Sequence, residues 1–213
     1  MQWCMQPGFA DYHVAMTELT PRREATVARL IEAAIEQFAA RGIDATSVEQ
    51  ICEAAGFSRG AFYSNFASKD DLCAAMIHQF QDRLLTELST MVAEIPTNAE
   101  TSEQLALVLD KIAAVISPTP QMTLTLLEIR LRAHRNPELY QRLVEADERT
   151  LPQQIAFIEH LISSLGIELI LPTDQVLRIF EALFFYDAHC DPNADSRQVM
   201  APLALALVRQ PEP

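Results

Sequence analysis

The chain has 213 residues, of which 49% are hydrophobic and 21% are charged, so it has enough apolar material for a sizeable core and is not expected to be disordered. Its formal net charge of -13, with neither half of the chain basic, argues against a protein that coats nucleic acid or anionic membrane by bulk attraction. No apolar run approaches the length of about eighteen residues that a membrane span requires, and no secretory signal precedes the first helix, so we expect a cytoplasmic protein.

Apolar residues recur at intervals of three and four almost everywhere after Thr20, which predicts an all-α protein. In the first part of the chain, helix boundaries are marked by polar N-caps, by glycines, and by a capping box of Thr46, Ser47 and Glu49. These signals predict helices from Pro21 to Gly42, from Thr46 to Gly56, from Ser58 to Phe66 and from Ser68 to Ala93.

Prolines punctuate the chain beyond Pro96. Between them the periodicity predicts helices over residues 101–116, 120–135, 138–164, 173–189 and 195–209, with Pro152 and Pro202 as kinks or breaks. The only strand-like run, Ile167 to Leu171, is too short and too isolated to found a sheet.

We expect three segments. Residues 1–19 follow neither a helical nor an alternating pattern, so they form an extension. This extension is either an arm, ordered or disordered, or a segment ahead of a true start at Met5 or Met16. Residues 20–72 form a three-helix domain, and residues 73–213 form a larger helical bundle. Because the fourth helix joins these two parts without a flexible linker, we expect them to be mechanically connected.

Two short helices flank the tight turn at Gly56, which is typical of a helix-turn-helix. At about 100° per residue, the third helix presents a packed face with Phe62 and Phe66 and an opposite, hydrogen-bonding face. The second face holds Arg59, Gly60, Tyr63 and Ser64. A major groove about 12 Å wide admits such a helix, and an arginine can offer two N–H groups to guanine there.

Around this face stand groups that would fix the position of DNA without reading its sequence. Thr46 and Ser47 present hydroxyl groups at a helix N-terminus, Lys69 adds a charge beside the next helix, and Arg22 and Arg23 extend from the first helix. So few cations in an acidic protein imply a modest salt dependence for each subunit, so two subunits would be needed for tight binding.

The run Ser-Arg-Gly-Ala-Phe-Tyr-Ser-Asn-Phe-Ala-Ser-Lys-Asp-Asp-Leu at 58–72, preceded by Thr-Ser-Val-Glu-Gln-Ile at 46–51, resembles the DNA-binding domain of TetR-family transcriptional regulators. The resemblance covers about residues 24–72 and rests on Gly-x-x-Tyr-x-x-Phe-x-x-Lys at the family's spacing. It implies a homodimer, often a repressor, that releases DNA when a small molecule binds the carboxy-terminal domain. Asn65 departs from the histidine often found at its position.

Together, the resemblance and the helical spacing give one set of expected contacts with double-stranded DNA. The predicted DNA-binding residues are Arg22, Arg23, Thr46, Ser47, Ser58, Arg59, Gly60, Tyr63, Ser64, Asn65 and Lys69.

We expect an effector pocket between carboxy-terminal helices, shaped for a small apolar or aromatic molecule. The residues expected to line it are Met122, Leu126, Tyr140, Phe157, His160, Phe180, Phe184 and Tyr186.

The last two helices are apolar on more than one face, which predicts a four-helix interface between two copies related by a twofold axis. The residues expected there are Ile179, Leu183, Val199, Leu203 and Leu207. The DNA half-sites would then lie about one helical turn or more apart in a roughly palindromic operator.

Other chemistry has little support in the sequence. The four cysteines form no C-x-x-C pair and read as buried free thiols, and the histidines show no zinc spacing, so we expect no metal and no cofactor. Carboxylates follow helical spacing among arginines and accompany no nucleophile, so we do not expect an enzyme. Two alternatives stay open: a DNA-binding regulator without a small-molecule effector, and an all-helical enzyme or scaffold.

Overall fold

A computed structural model describes residues 20–92, 119–190 and 197–209. The extension predicted at 1–19 and the helix predicted at 101–116 lie outside these residues. Tertiary contacts divide the chain into two compact units, with the boundary after Leu72.

The described residues fold into eight helices and two very short strands, which confirms the all-α prediction. The helices are α1 (Pro21–Arg41), α2 (Val48–Ala55), α3 (Arg59–Tyr63), α4 (Lys69–Val92), α5 (Pro120–Ala133), α6 (Pro137–Ser164), α7 (Thr173–Cys190) and α8 (Arg197–Ala206). The strands are β1 (Glu168–Leu169) and β2 (Val208–Arg209).

Two local predictions need correction. The capping box at the start of α2 lies one residue later than expected, because the hydroxyl of Ser47 accepts from the backbone N–H of Gln50 and the Gln50 side chain accepts from the backbone N–H of Ser47. The strand-like run also does found a sheet: β1 pairs antiparallel with β2, with Glu168 opposite Arg209. An ion pair of 3.0 Å between the Arg209 guanidinium and the Glu168 carboxylate joins the two strands.

The amino-terminal unit is built on apolar stripes. Helix α1 buries Leu30, Ile31, Ala34 and Phe38. Helix α2 contributes Ile51 and Cys52, and α3 contributes Phe62. Fully burying a leucine, isoleucine or phenylalanine side chain contributes about 1.5–3 kcal/mol, so a few such residues can hold the three helices together.

In the carboxy-terminal unit the helices run through their internal prolines: Pro152 lies inside α6 and Pro202 inside α8. Leu161, Leu165 and Ile167 form a small buried cluster at the end of α6. Of the predicted thiols, Cys52 and Cys73 are buried and are not part of a disulfide among the described residues. None of the helices in the described ranges is both long enough and apolar enough to cross a membrane.

Candidate nucleic-acid interface

Helix α3 has the two faces that its sequence predicts. Phe62 is fully buried and Phe66, just past the end of the helix, is also buried. Arg59, Gly60 and Ser64 are exposed, and Tyr63 is 50% exposed. The ring of Phe62 packs edge-on against Tyr63, with centroids 5.4 Å apart, and against Phe66 at 5.6 Å. The buried aromatic residues thus anchor the helix and leave its polar face in solvent.

The turn between α2 and α3 depends on Gly56, which has a φ of 71° and a ψ of 32°. A left-handed residue at this position ends a helix, and side chains with a Cβ rarely adopt it. The backbone N–H of Phe57 donates back to the carbonyl of Cys52 at 2.8 Å. The Arg29 guanidinium donates to the carbonyl of Ala55 at 2.7 Å and lies over the Phe57 ring. Arg29 therefore positions the turn, a role that its sequence context did not reveal.

At Gly60, unlike Gly56, the backbone conformation does not require a glycine. Its φ is not positive, and a methyl group built on it would lie 3.6 Å from the Ser58 hydroxyl oxygen, an ordinary van der Waals distance. Packing within the chain therefore does not require a glycine here. Its absence of a side chain instead leaves the exposed backbone of α3 open to close approach from outside.

Arg59 lies at the start of α3 and is bound on two sides. Its Nη1 lies 2.8 Å from a carboxylate oxygen of Glu49 in α2, and its Cζ lies 5.9 Å from the centre of the Tyr63 ring. Hydrogen bonding to Tyr63 and the charge of Glu49 raise the pKa of Arg59. The sequence predicted Arg59 as a reader of guanine but did not reveal its acidic partner.

The carboxylate of Glu49 also lies close to the N-terminus of α2. Hydrogen bonds from its own backbone N–H and from the Ser47 hydroxyl, together with the Arg59 charge, lower its pKa. The carboxylate is therefore ionised at neutral pH. Ser47 itself is exposed and caps α2.

Arg23 and Asn65, two of the predicted DNA contacts, form hydrogen bonds with other residues of the protein. Arg23 Nε donates to the Asn65 side-chain oxygen at 2.9 Å, and Asn65 Nδ2 donates to the Ala61 carbonyl at 2.8 Å. The Ser64 hydroxyl donates to the Gly60 carbonyl at 2.7 Å. Arg23 and Asn65 thus tie the end of α3 to α1, so both are positioning residues in this structure.

Thr46 corrects the prediction most clearly. Its side chain is 1% exposed, and its hydroxyl donates to the carbonyls of Gly42, at 2.8 Å, and Gln37. A hydroxyl buried in this way cannot bind a phosphate. Lys69 Nζ likewise donates to the carbonyls of Ile43, at 2.6 Å, and Thr46, at 2.8 Å. Lys69 therefore holds the loop before α2, whether or not its remaining N–H contacts DNA.

The last two predicted contacts, Ser58 and Arg22, are both exposed. Ser58 is the N-cap of α3, and its hydroxyl accepts from the backbone N–H of Ala61 at 3.3 Å. The exposed surface around α3 therefore brings together Arg59, Gly60, Tyr63, Ser64, Ser58, Ser47 and Glu49. We call this surface the α3 face.

The predicted effector residues are only partly enclosed. Leu126 is buried, and Met122, Phe157 and Phe180 are half-buried. Tyr140 is 49% exposed and His160 is exposed, so neither side chain is enclosed by the described residues. Phe157 packs against the Leu161 cluster. The side chains of Phe184 and Tyr186 lie outside the part of the chain whose side chains the structure describes.

A buried polar group in the carboxy-terminal unit was not predicted. Gln81 in α4 is 9% exposed, and its Nε2 donates to a carboxylate oxygen of Asp147 in α6 at 2.8 Å. That carboxylate accepts only, so the Gln81 Oε1 must point the other way. Among the described residues, this buried oxygen has no hydrogen-bond partner.

Two ionisable groups in the same unit have shifted pKa values. Partial desolvation raises the pKa of Glu181, an exposed residue of α7, against the lowering effect of Arg130, and the charge of Asp147 raises it further. Burial and the charge of Arg149 lower the pKa of His78, which favours its neutral form. A polar side chain in an apolar helical pattern, such as Gln81, is the one sequence signal that would have pointed to this region.

Among the described residues, no group of three or more His, Cys, Asp or Glu side chains is placed to hold a metal.

The predicted interface residues of the last two helices divide into two groups. Val199 is 54% exposed, and Ile179, Leu183 and Leu203 are half-buried. Leu207 is buried within its own chain, so it does not face a partner, which corrects the prediction. On α8 the exposed apolar residues include Leu205.

Comparisons with known proteins agree with this geometry. The family model for bacterial regulatory proteins of the tetR family matches residues 30–76. The HTH-type transcriptional regulator YwcC of Bacillus subtilis (strain 168) is 43% identical over 60 residues, which are 28% of this chain and 27% of YwcC. The fatty acid metabolism regulator protein of the same organism is 30% identical over 118 residues, which are 55% of this chain and 58% of that protein.

Each of these two matches therefore spans less than two thirds of the relative's own length. The fold extends the likeness over most of the chain. The crystal structure of the transcriptional regulator FadR from Bacillus subtilis in complex with stearoyl-CoA matches with a TM-score of 0.64 at 22% identity, covering 83% of this chain and 96% of FadR. Residues 30–76 therefore match the helix-turn-helix domain of the tetR family of bacterial regulatory proteins, and the chain as a whole has a fold like that of the FadR structure.

Proposed function

We propose that the protein is a sequence-specific DNA-binding transcriptional regulator, a homodimeric repressor released from a roughly palindromic operator by a small-molecule effector. One observation carries the DNA-binding part. Helix α3 exposes Arg59, Gly60 and Tyr63 on a face whose opposite side is fixed by Phe62 and Phe66. Such a protein acts on chromosomal DNA and hence in the cytoplasm.

The α3 face supplies complementary kinds of contact. An arginine side chain can donate two N–H groups to guanine O6 and N7, which distinguishes guanine from the other bases in the major groove. The exposed Ser47 hydroxyl and the Tyr63 ring are suited to phosphate and sugar contacts, which set position and carry no sequence information. Arg59 therefore determines specificity, and its neighbours fix the register.

The effector is proposed to bind in the carboxy-terminal unit and to be largely apolar with at least one hydrogen-bond donor. The half-buried Met122 and Phe180 supply apolar surface, and the unpartnered Gln81 Oε1 supplies an acceptor. An acyl thioester such as stearoyl-CoA, which the FadR structure contains, combines a long apolar chain with amide N–H groups. It is the first probe to test.

Release would follow from a population shift. A ligand that prefers the state with misplaced recognition helices by several kcal/mol empties the operator, whereas a ligand with equal affinity for both states changes nothing. Accordingly, the effector affinity must differ between the free and the DNA-bound protein.

The test starts with selection of bound duplexes from a pool with a randomised central region, followed by binding titrations of the recovered sequence at several salt concentrations. We expect one preferred, roughly palindromic sequence. Arg59→Ala should weaken binding to it by about 1–3 kcal/mol and relax the preference at one position of each half-site. Recovery of no preferred sequence would contradict the proposed function, and an unchanged affinity in the presence of saturating stearoyl-CoA would exclude that effector.

A further inference from the structure

The carboxylate of Glu49 places a negative charge on the α3 face, where the DNA phosphates would favour positive charge. It accepts an ion pair from Arg59 Nη1 at 2.8 Å, and the two side chains are 54% and 61% exposed. Glu49 also lies in the first turn of α2, two residues after Ser47, whose hydroxyl helps to lower the pKa of the Glu49 carboxyl. One acid therefore lies beside both the predicted guanine reader, Arg59, and the predicted phosphate contact, Ser47.

This arrangement works against binding to arbitrary DNA. A phosphate that approaches the N-terminus of α2 meets the negative charge of Glu49, and Arg59 cannot point Nη1 at a base while Glu49 holds it. In an exposed position the ion pair itself is weak, so DNA can displace it. Once displaced, the carboxylate needs a hydrogen-bond donor in place of Arg59.

The major groove offers such a donor at particular bases. The N4 amino group of cytosine is the donor that glutamate and aspartate side chains accept from in the groove. Adenine also carries an amino group there, but its N7 acceptor stands beside that group and repels a carboxylate. Thymine and the phosphate backbone offer the carboxylate no donor.

Resting on the proposed DNA-binding function, we propose that Glu49 is a specificity-determining residue. It forms an ion pair with Arg59 in the free protein. In the complex with the operator, it accepts a hydrogen bond from a cytosine amino group beside the guanine that Arg59 reads. Its carboxylate thus opposes binding to sequences that lack this cytosine and favours those that have it.

The experiment compares the full-length wild type with Glu49→Gln in the same selection from randomised duplexes, followed by titrations of the recovered duplex and a scrambled duplex. The matched control is Glu53→Gln, which removes the same charge from an exposed position one turn along α2. Circular dichroism of all three proteins checks that the helical content is equal.

We expect Glu49→Gln to bind the scrambled duplex more tightly than the wild type and to lose about tenfold in preference for the recovered sequence, with the cytosine position relaxed. Glu53→Gln should strengthen binding to both duplexes alike and relax no position. The inference is overturned if Glu49→Gln recovers the same base at every position with an unchanged affinity ratio. If the wild type recovers no preferred sequence, the proposed function itself fails, and the two failures are thus distinguishable.

Discussion

The Lys69 ammonium donates to the carbonyls of Ile43 and Thr46, which lie in the loop that leads into α2. Hydrogen bonds from a charged donor contribute more than neutral ones. Lys69→Met should therefore lower the free energy of unfolding by about 1–3 kcal/mol, measured by urea denaturation.

A Lys69→Met protein with the stability of the wild type would contradict this role. The salt dependence of DNA binding provides a separate readout. A slope reduced by about one would show that the same ammonium also contacts a phosphate, as the sequence predicts.

At the residue scale, the sequence identified most of the polar side chains around α3 but not which of them are already bonded. Helical spacing predicts that Arg59 and Tyr63 point outward, and they do. It does not predict that Thr46 is buried or that Asn65 bonds to Arg23, because these contacts join residues from different elements. Long-range partners of this kind are not encoded in local periodicity.

At the scale of elements, the turn after α2 is the most sensitive point of the amino-terminal unit. Gly56 has a left-handed φ of 71°, and a Cβ there would lie 3.2 Å from an Arg29 side-chain nitrogen. Gly56→Ala should destabilise the protein by about 1–2 kcal/mol, measured as a loss in unfolding free energy. Gly56→Asn should lose less, because asparagine tolerates this conformation better. Equal losses for both variants would contradict a backbone origin.

Helix boundaries were predictable where a cap or a proline fixes them locally. Pro21 begins α1, and Gly42 and Gly56 end α1 and α2. The pairing of β1 with β2 was not predictable, because its two strands of two residues each lie about forty residues apart and carry no alternating pattern. The fold class followed from periodicity, whereas this contact depends on tertiary structure.

At the scale of the whole molecule, the proposed effector response depends on Gln81 Oε1, which has no hydrogen-bond partner in the part of the chain that the structure describes. A buried oxygen without a donor costs about 1–3 kcal/mol. Gln81→Met removes that oxygen while keeping the length of the side chain. Because the substitution also removes the hydrogen bond from Nε2 to Asp147, its reference is Asp147→Ala, which removes that hydrogen bond and leaves Oε1 in place. Without effector, the free energy of unfolding of Gln81→Met in urea should equal or exceed that of Asp147→Ala. A clearly lower value would show that Gln81 Oε1 already has a donor in the free protein.

The central claim is that the exposed backbone of α3 comes close to DNA, and Gly60 tests it most directly. A methyl group there has room within the chain. Because alanine favours a helix more than glycine does, Gly60→Ala should raise the free energy of unfolding by about 0.5–1 kcal/mol. In titrations of the selected duplex, the same variant should bind about tenfold more weakly or worse. A Gly60→Ala protein that is equally stable or more stable and binds the duplex as tightly as the wild type would contradict the account.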